Sequence, residues 1–471
     1  MIDLAIAGVA PADLEVTEGA TRALASTVSR AFNNLLTMVL AFIALAIPIT
    51  ANMYTPRLIE IFVRDRVNLV VLLFYVLMGA NAVFVQSVGF DRWAPTVMYV
   101  GLWTSAVVGF AILVPYYFYV LSFLDPERII DRVTERVIAE YRALGDGDPV
   151  DVQGRLADRI HRLGNVILRA IDRADRDVAI ASIDALRCAV VAYAPFKREA
   201  PKGWFDVNPE LCVGLSEEAI ELAVRERNWV ERRCLMQLLL AYEAALSKMT
   251  DAISAISEVN RRIAVHAIDE DDRGLVRLCV RFFNSFLRSA IRCRDVHAIQ
   301  DVLHQYRRFG EHVSVSHPDV VLELMRRLRY YGELARFQGL RFVCELAGYE
   351  VGQLVEHAFD AGSPARHGLL EGFLTFDLDG SSARLVTARA VLAGYFALDA
   401  GCGSERQAVV ASLAGVPRDL VQRSREAIAS TVDGAFWEVT DSQVNLDWVP
   451  LARRESVLQV LDEVLARPDA D

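Results

Sequence analysis

Three runs without a charged residue dominate the first quarter of this 471-residue chain, at positions 31–56, 67–90 and 93–124. A helix needs about 20 apolar residues to cross the ~30 Å hydrocarbon layer of a bilayer, and each run is long enough. Soluble helices of this length usually carry a polar face. Past residue 124 no comparable run occurs. The first run begins some 30 residues in, lacks the short apolar core and small-residue cleavage site of a signal peptide, and is followed by two more. It is therefore expected to remain as a membrane span.

The expected layout is an extracytoplasmic segment 1–30, then a transmembrane domain 31–124 with spans at about 31–54, 67–88 and 95–124. A stalk helix over 125–145 and a cytoplasmic α-helical domain over 151–471 follow. The fold class is all-α, with lipid as the first partner.

Charge sets the orientation, because loops on the cytoplasmic side of a membrane are enriched in Lys and Arg. The loop after the first run carries Arg57, Arg64 and Arg66, and the segment after the third carries Arg128, Arg132 and Arg136. The turn between the second and third runs has only Arg92, balanced by Asp91. These votes place the protein in the plasma (inner) membrane with its N-terminus outside and the large C-terminal part in the cytoplasm. Pro56 ends the first helix cheaply at this point, while Glu60 and Asp65 are close enough in sequence to pair with the loop arginines. Trp93 and the cluster Tyr116–Tyr119 suit the two interfaces, where amphipathic rings collect.

The formal charge of −11 falls almost wholly on residues 125–471. An acidic domain of that size excludes nucleic acid as a partner. All seven cysteines lie in the same part, with no CxxC pair, so zinc-ligand spacing is absent. Free thiols in a helical domain fit a reducing compartment. Only three lysines (Lys197, Lys202, Lys248) stand among 50 basic residues, a bias of base composition more than of chemistry.

From Asp125 onward the pattern is helical. Asp125-Pro126-Glu127 opens a helix with an acid at the cap and proline in the first turn. Breaks are expected at 143–151, 194–210, 312–319 and 360–368. The stretches 169–186, 266–283 and 289–303 echo one another: each closes a helix on Ala-Ile, turns through acidic residues and opens the next. Stacked helical pairs are joined in this way, and an irregular helical bundle is the alternative. Residues 435–447 hold either a short strand or aromatics packed on a last helix, Leu451–Ala466.

The first loop carries a resemblance. Thr55-Pro56-Arg57-Leu58, then Asp65, then a span opening Val70-Val71-Leu72, resembles a bacterial membrane family known as domain of unknown function 2254. Residues 20–47 look like that family's second span, and 163–186 stand where it has a helical soluble segment. The family usually has four spans, so the resemblance implies that this chain lacks the first. The family's Asn-Asp-Pro element is absent here, and the family has no established chemistry to lend.

Motifs for phosphate, dinucleotide, acyl-transfer or metalloprotease chemistry are missing. No catalytic residue, cofactor or metal ligand is expected, and the chain reads as a non-enzyme. Asp-x-Asp-Gly at 377–380 lacks the later ligands of a calcium loop. The acidic run 269–272 reads as helix capping. The strongest signal lies in span one, where Ser29, Asn33, Thr37, Ala41, Ala44, Pro48 and Asn52 recur at three- and four-residue steps. Polar groups in hydrocarbon need partners or water, and small ones let helices approach closely. This stripe is either a packing face or the lining of a narrow aqueous path in a homo-oligomer. The loop residues Pro56, Arg57, Arg64, Asp65 and Arg66 form a second group at the cytoplasmic surface. The function expected is a homo-oligomeric scaffold or pore whose cytoplasmic domain binds other proteins. The alternative is a membrane-anchored sensor or enzyme with a ligand pocket among the soluble helices.

Overall fold

A computed structural model describes residues 17–53, 65–87, 95–144, 148–208, 211, 216–376, 382–431 and 446–467. Among the described residues there are eighteen α-helices and no strand. The chain divides into two compact units, residues 1–133 and 134–471.

The first unit holds α1 (Glu18–Met53), α2 (Arg66–Ser87), α3 (Pro95–Leu124) and the start of α4 (Pro126–Arg142). Asp65 caps α2, its Oδ1 accepting the Val67 N–H at 2.9 Å, and Asp125 accepts the Glu127 N–H at the start of α4. Both acids satisfy donors that a helix start leaves free. Ala25, Val28, Phe32, Leu35 and Val39 of α1 pack on Val71, Tyr75, Ala82 and Val85 of α2 and on Leu102, Tyr116 and Val120 of α3. The Phe32 ring lies so close to Gly109 that a Cβ there would meet its Cε1 at 2.7 Å. Only glycine admits that approach.

The outer faces of α2 and α3 are mainly apolar, with Asn81, Gln86 and Thr104 exposed among them. Leu69, Val70, Leu73 and Phe84 on one helix, and Val97, Trp103, Phe110, Val114 and Phe118 on the other, are all more than half exposed. An apolar surface this continuous belongs in lipid.

The second unit follows as α5 (Pro149–Asp172), α6 (Arg176–Glu199), α7 (Glu217–Arg225), α8 (Trp229–Ala245), α9 (Thr250–Asp269), α10 (Arg273–Cys293), α11 (Val296–Val313), α12 (Pro318–Phe337), α13 (Arg341–Asp360) and α14 (Arg366–Leu374). It ends in α15 (Ala383–Ala397), α16 (Gly403–Ala411), α17 (Arg418–Ser430) and α18 (Leu451–Ala466). Two layers run side by side. In one, α6, α9, α11, α13 and α15 each pack on the next, and in the other α5, α8, α10, α12 and α14 do the same. Nearest-neighbour packing of this kind defines a solenoid-like stack, so the stacked-pair expectation describes the domain better than an irregular bundle. Helices α16, α17 and α18 close the far end against α15.

By length and composition α2, residues 97–120 of α3 and also α6 could cross a membrane. Helix α6 is a core helix of the stack instead. Half of its apolar window is buried by its neighbours, and Asp184 and Arg187 face each other along it at 2.6 Å. The third apolar helix of the membrane unit is α1, which is uncharged from Ala31 to its end and packs along both α2 and α3. Helix α6 also runs on through Pro195 to Glu199, past the break expected at 194. Tyr193 and Phe196 on its last turns both stack on Tyr141 of α4, which holds them in the helix.

The joints explain the sequence echo. At 169–186 the Asp175 N–H reaches back to the Ala170 carbonyl and the Ala174 N–H to Ile171, with Ala174 left-handed at φ 56°. Asp272 with Ala267 and Asp295 with Ala290 repeat the pattern, around Asp271 and Arg294 at φ 51° and 54°. This is the Schellman closure of a helix. The same aspartates then cap the next helix, accepting the N–H groups of Val178, Leu275 and Ala298. One residue type both ends one helix and starts another. The acidic run 269–272 is thus a cap, as expected. Residues 377–381 and 432–445 lie outside the described residues, and with them the Asp-x-Asp-Gly turn and most of the 435–447 stretch.

Two substitutions test the joints by urea unfolding of the detergent-solubilised protein. Ala174 is exposed and left-handed, so Ala174→Gly should raise stability by about 1 kcal/mol. Asp295→Ala should lower it by about 1–2 kcal/mol through loss of the cap.

Candidate functional site

Helix α1 buries one face, and the opposite face is mixed, with polar groups standing beside the exposed Met38 and Leu40. Arg22, Ala23, Thr27, Arg30, Asn33, Asn34, Thr37, Ala41 and Ala44 are exposed, and Ser26 and Ser29 are half-buried at the edges. Of the stripe expected from sequence, Asn33, Thr37, Ala41 and Ala44 therefore point away from α2 and α3, and Ser29 sits at the margin. The side chains of Pro48 and Asn52 lie outside the described residues. At 100° per residue the centre of the exposed face runs Ser26, Arg30, Asn33, Thr37, Ala41, Ala44. Thr37 Oγ1 donates to the Asn33 carbonyl at 2.8 Å and Arg30 Nε to the Ser26 carbonyl at 3.3 Å. These are bonds within the helix's own surface. Asn33, Thr37, Ala41 and Ala44 are thus not part of the packing of α1 on α2 and α3.

Register fixes the depth of that face. Phe32 meets Tyr75 and Phe74 on α2 and lies over Gly109 on α3, and Phe42 meets Tyr117. Helix α1 therefore runs parallel to α3, and its residues near 30 stand level with the middle of α2 and of α3. Sequence reasoning missed Arg30 because the charge-free run begins one residue later. The signal was present in the four-residue step from Ser26 to Arg30.

At the other end of the bundle Asp65 joins α2 to α3. The Tyr119 hydroxyl donates to Asp65 Oδ1 at 2.6 Å, Tyr116 donates to Asn68 Oδ1 at 3.2 Å, and Tyr75 donates to the Gly109 carbonyl at 2.8 Å. This ladder descends one helix pair from its charged end to its middle. Of the loop group, Asp65 and Arg66 are in place at the start of α2, whereas Pro56, Arg57 and Arg64 lie outside the described residues.

The second unit brings together groups far apart in sequence. Lys197 Nζ donates to Glu231 at 2.7 Å and to Asp272 at 2.5 Å. Burial pulls the ammonium down, and the two carboxylates outweigh it, so its pKa is raised and Lys197 stays charged. Glu231 is 2 % exposed, and burial pushes its carboxyl up against the pull of Lys197. The three line a recess of about 260 Å³ with Arg227, His266, Arg273 and Asp271. Among the protein's own groups Glu231 Oε2, Asn228 Oδ1 and His266 Nε2 are buried and have no hydrogen-bond partner. Sequence reasoning missed this convergence because the partners come from α6, α8 and the α9–α10 joint. A larger cavity of about 420 Å³ lies between α13, α15 and α18, walled by Tyr349, Trp448 and the ion pair of Arg453 with Glu356 at 2.6 Å. Among the described residues no cluster of His, Cys, Asp and Glu could hold a metal ion.

These features define a membrane protein of three apolar helices joined to a large helical stack. Residues 3–186 match the model of a family described as predicted membrane protein (DUF2254), covering α1 to α5 and the first half of α6. That is the family the first loop resembles, and the match extends well beyond that loop in both directions. No curated protein and no solved structure matches the chain significantly.

Lys197→Met would leave the buried Glu231 and half-buried Asp272 carboxylates facing each other and should cost about 3 kcal/mol in urea unfolding. Adding Glu231→Gln removes one of the stranded charges and should recover part of that loss.

Proposed function

We propose that the protein is a homo-oligomeric, non-enzymatic membrane assembly in which several copies turn their α1 faces toward a shared axis. The observation that carries this reading is the contrast among the three outer surfaces of the bundle. Those of α2 and α3 are mainly hydrocarbon-like, and that of α1 bears the Arg30 guanidinium, the Asn33 and Asn34 amides and the Thr37 hydroxyl beside Met38 and Leu40. A guanidinium or amide held in lipid costs several kcal/mol unless it pairs or meets water. Neighbouring copies placed around an axis give both. The helical stack then hangs from each copy in the cytoplasm, with the N-terminus outside, as the arginine distribution supports, and offers its layered surface to protein partners. Native mass spectrometry of the intact protein in detergent should find more than one chain per particle. A strictly monomeric protein, in lipid nanodiscs as well as detergent, would end this reading.

A second reading, a ligand-sensing stack, is favoured by the recess at Lys197. A carboxylate oxygen as deeply buried as Glu231 Oε2 leaves the acceptor energy of that group unused. The matching ligand is small and carries N–H donors. Thermal unfolding with methylammonium should show stabilisation that tetramethylammonium, which has no N–H, does not give, and Glu231→Gln should abolish it. Equal or absent shifts would dismiss the sensor.

A further inference from the structure

We infer that the path framed by the α1 faces is selective for anions, and that Arg30 is the selecting residue. The inference rests on the oligomeric reading above and adds the class of solute. Three observations on the bundle lead to it.

The first is depth. Phe32, two residues from Arg30, packs against Tyr75 and Gly79 near the middle of α2 and against Gly109 at the middle of α3. Arg30 is thus carried at the level where α2 and α3 are flanked by uncharged sequence on both sides. The second is direction. Arg30 is exposed at the centre of the outward face, between Ser26 one turn above and Asn33 and Thr37 below, and its Nε donates only along its own helix, to the Ser26 carbonyl. Lipid cannot be the occupant of such a face. Direct contact with the same face of a neighbour would set guanidinium against guanidinium, and like charges in close apposition repel. Water between the copies resolves both conflicts.

The third observation is sign. After the first turn, where Glu18 and Arg22 stand four residues apart, Arg30 is the one charged residue of the helix. Repeated around an axis, it makes a positive level, with amides and hydroxyls at Asn33, Asn34 and Thr37 just beyond it. Rings of arginine favour anions in pores, since the fixed charge sets the sign of the ion that concentrates there. Guanidinium also presents several N–H donors to an oxyanion without losing its proton.

The test is the reversal potential of purified protein in planar bilayers under a potassium chloride gradient, for the native chain, Arg30→Gln, Arg30→Lys and Arg30→Glu. Each variant is first checked for the native subunit number by mass. The native chain should pass chloride at least several-fold better than potassium. Arg30→Lys should keep that preference, Arg30→Gln should bring the ratio toward one, and Arg30→Glu should invert it. Conductance that favours potassium, or a chloride preference unchanged by Arg30→Gln and Arg30→Glu, overturns this inference and leaves the assembly standing. A native assembly of several chains without conductance overturns the inference and the pore, not the oligomer. A monomer overturns both readings together.

Discussion

Charge cannot rest in hydrocarbon without a partner, and the membrane unit is arranged around that constraint. Helices α2 and α3 obey it by having no charge between Arg66 and the end of α3 except in the short turn at Asp91 and Arg92. Several of their polar groups are spent on each other, in the hydrogen bonds of Tyr75, Tyr116 and Tyr119 with Gly109, Asn68 and Asp65. Helix α1 packs on them through its apolar face and leaves Arg30, Asn33 and Thr37 exposed on the other, and the proposed assembly rests on that open face.

The stack obeys a different rule. Each helix there meets mainly its nearest and next-nearest neighbours, so the domain grows by repetition of one joint more than by a single central core. In that joint a left-handed residue closes the helix and an aspartate opens the next. Non-glycine residues hold the left-handed position at Ala174, Arg227, Ser247, Asp271 and Arg294, whereas Gly339 and Gly362 hold it further along. The first five carry strain that the last two avoid. Two of the strained positions, Arg227 and Asp271, line the Lys197 recess, where a side chain has something to contribute and a glycine would not.

Much of this was legible in the sequence. The apolar helices followed from uninterrupted uncharged runs, a local property. The joints were visible as the Ala-Ile and aspartate echo because a Schellman closure and an N-cap draw on residues within a few positions of each other. The stripe on α1 was legible as a period, but its direction was not. Whether Asn33 faces inward or outward depends on which side Phe32 finds Gly109, a contact across 77 positions of chain. The Lys197 recess was illegible for the same reason, since its carboxylates stand 34 and 75 positions away. Lys197 nonetheless had a signature. In a chain that uses arginine almost everywhere, a buried lysine marks a place where a compact ammonium fits between two carboxylates and a planar guanidinium would not.

The geometry of three helices limits what one copy can do. Helices α2 and α3 pack on one side of α1 through Phe32, Tyr75 and Gly109. The glycine that admits the Phe32 ring therefore matters twice. It draws α1 flush against α3, and it fixes the rotation of α1 so that Arg30, Asn33 and Thr37 are turned outward. A larger residue at 109 would push the ring aside and rotate the polar face toward lipid or toward α2. Close packing within the bundle and an outward polar face on α1 are thus two consequences of one contact.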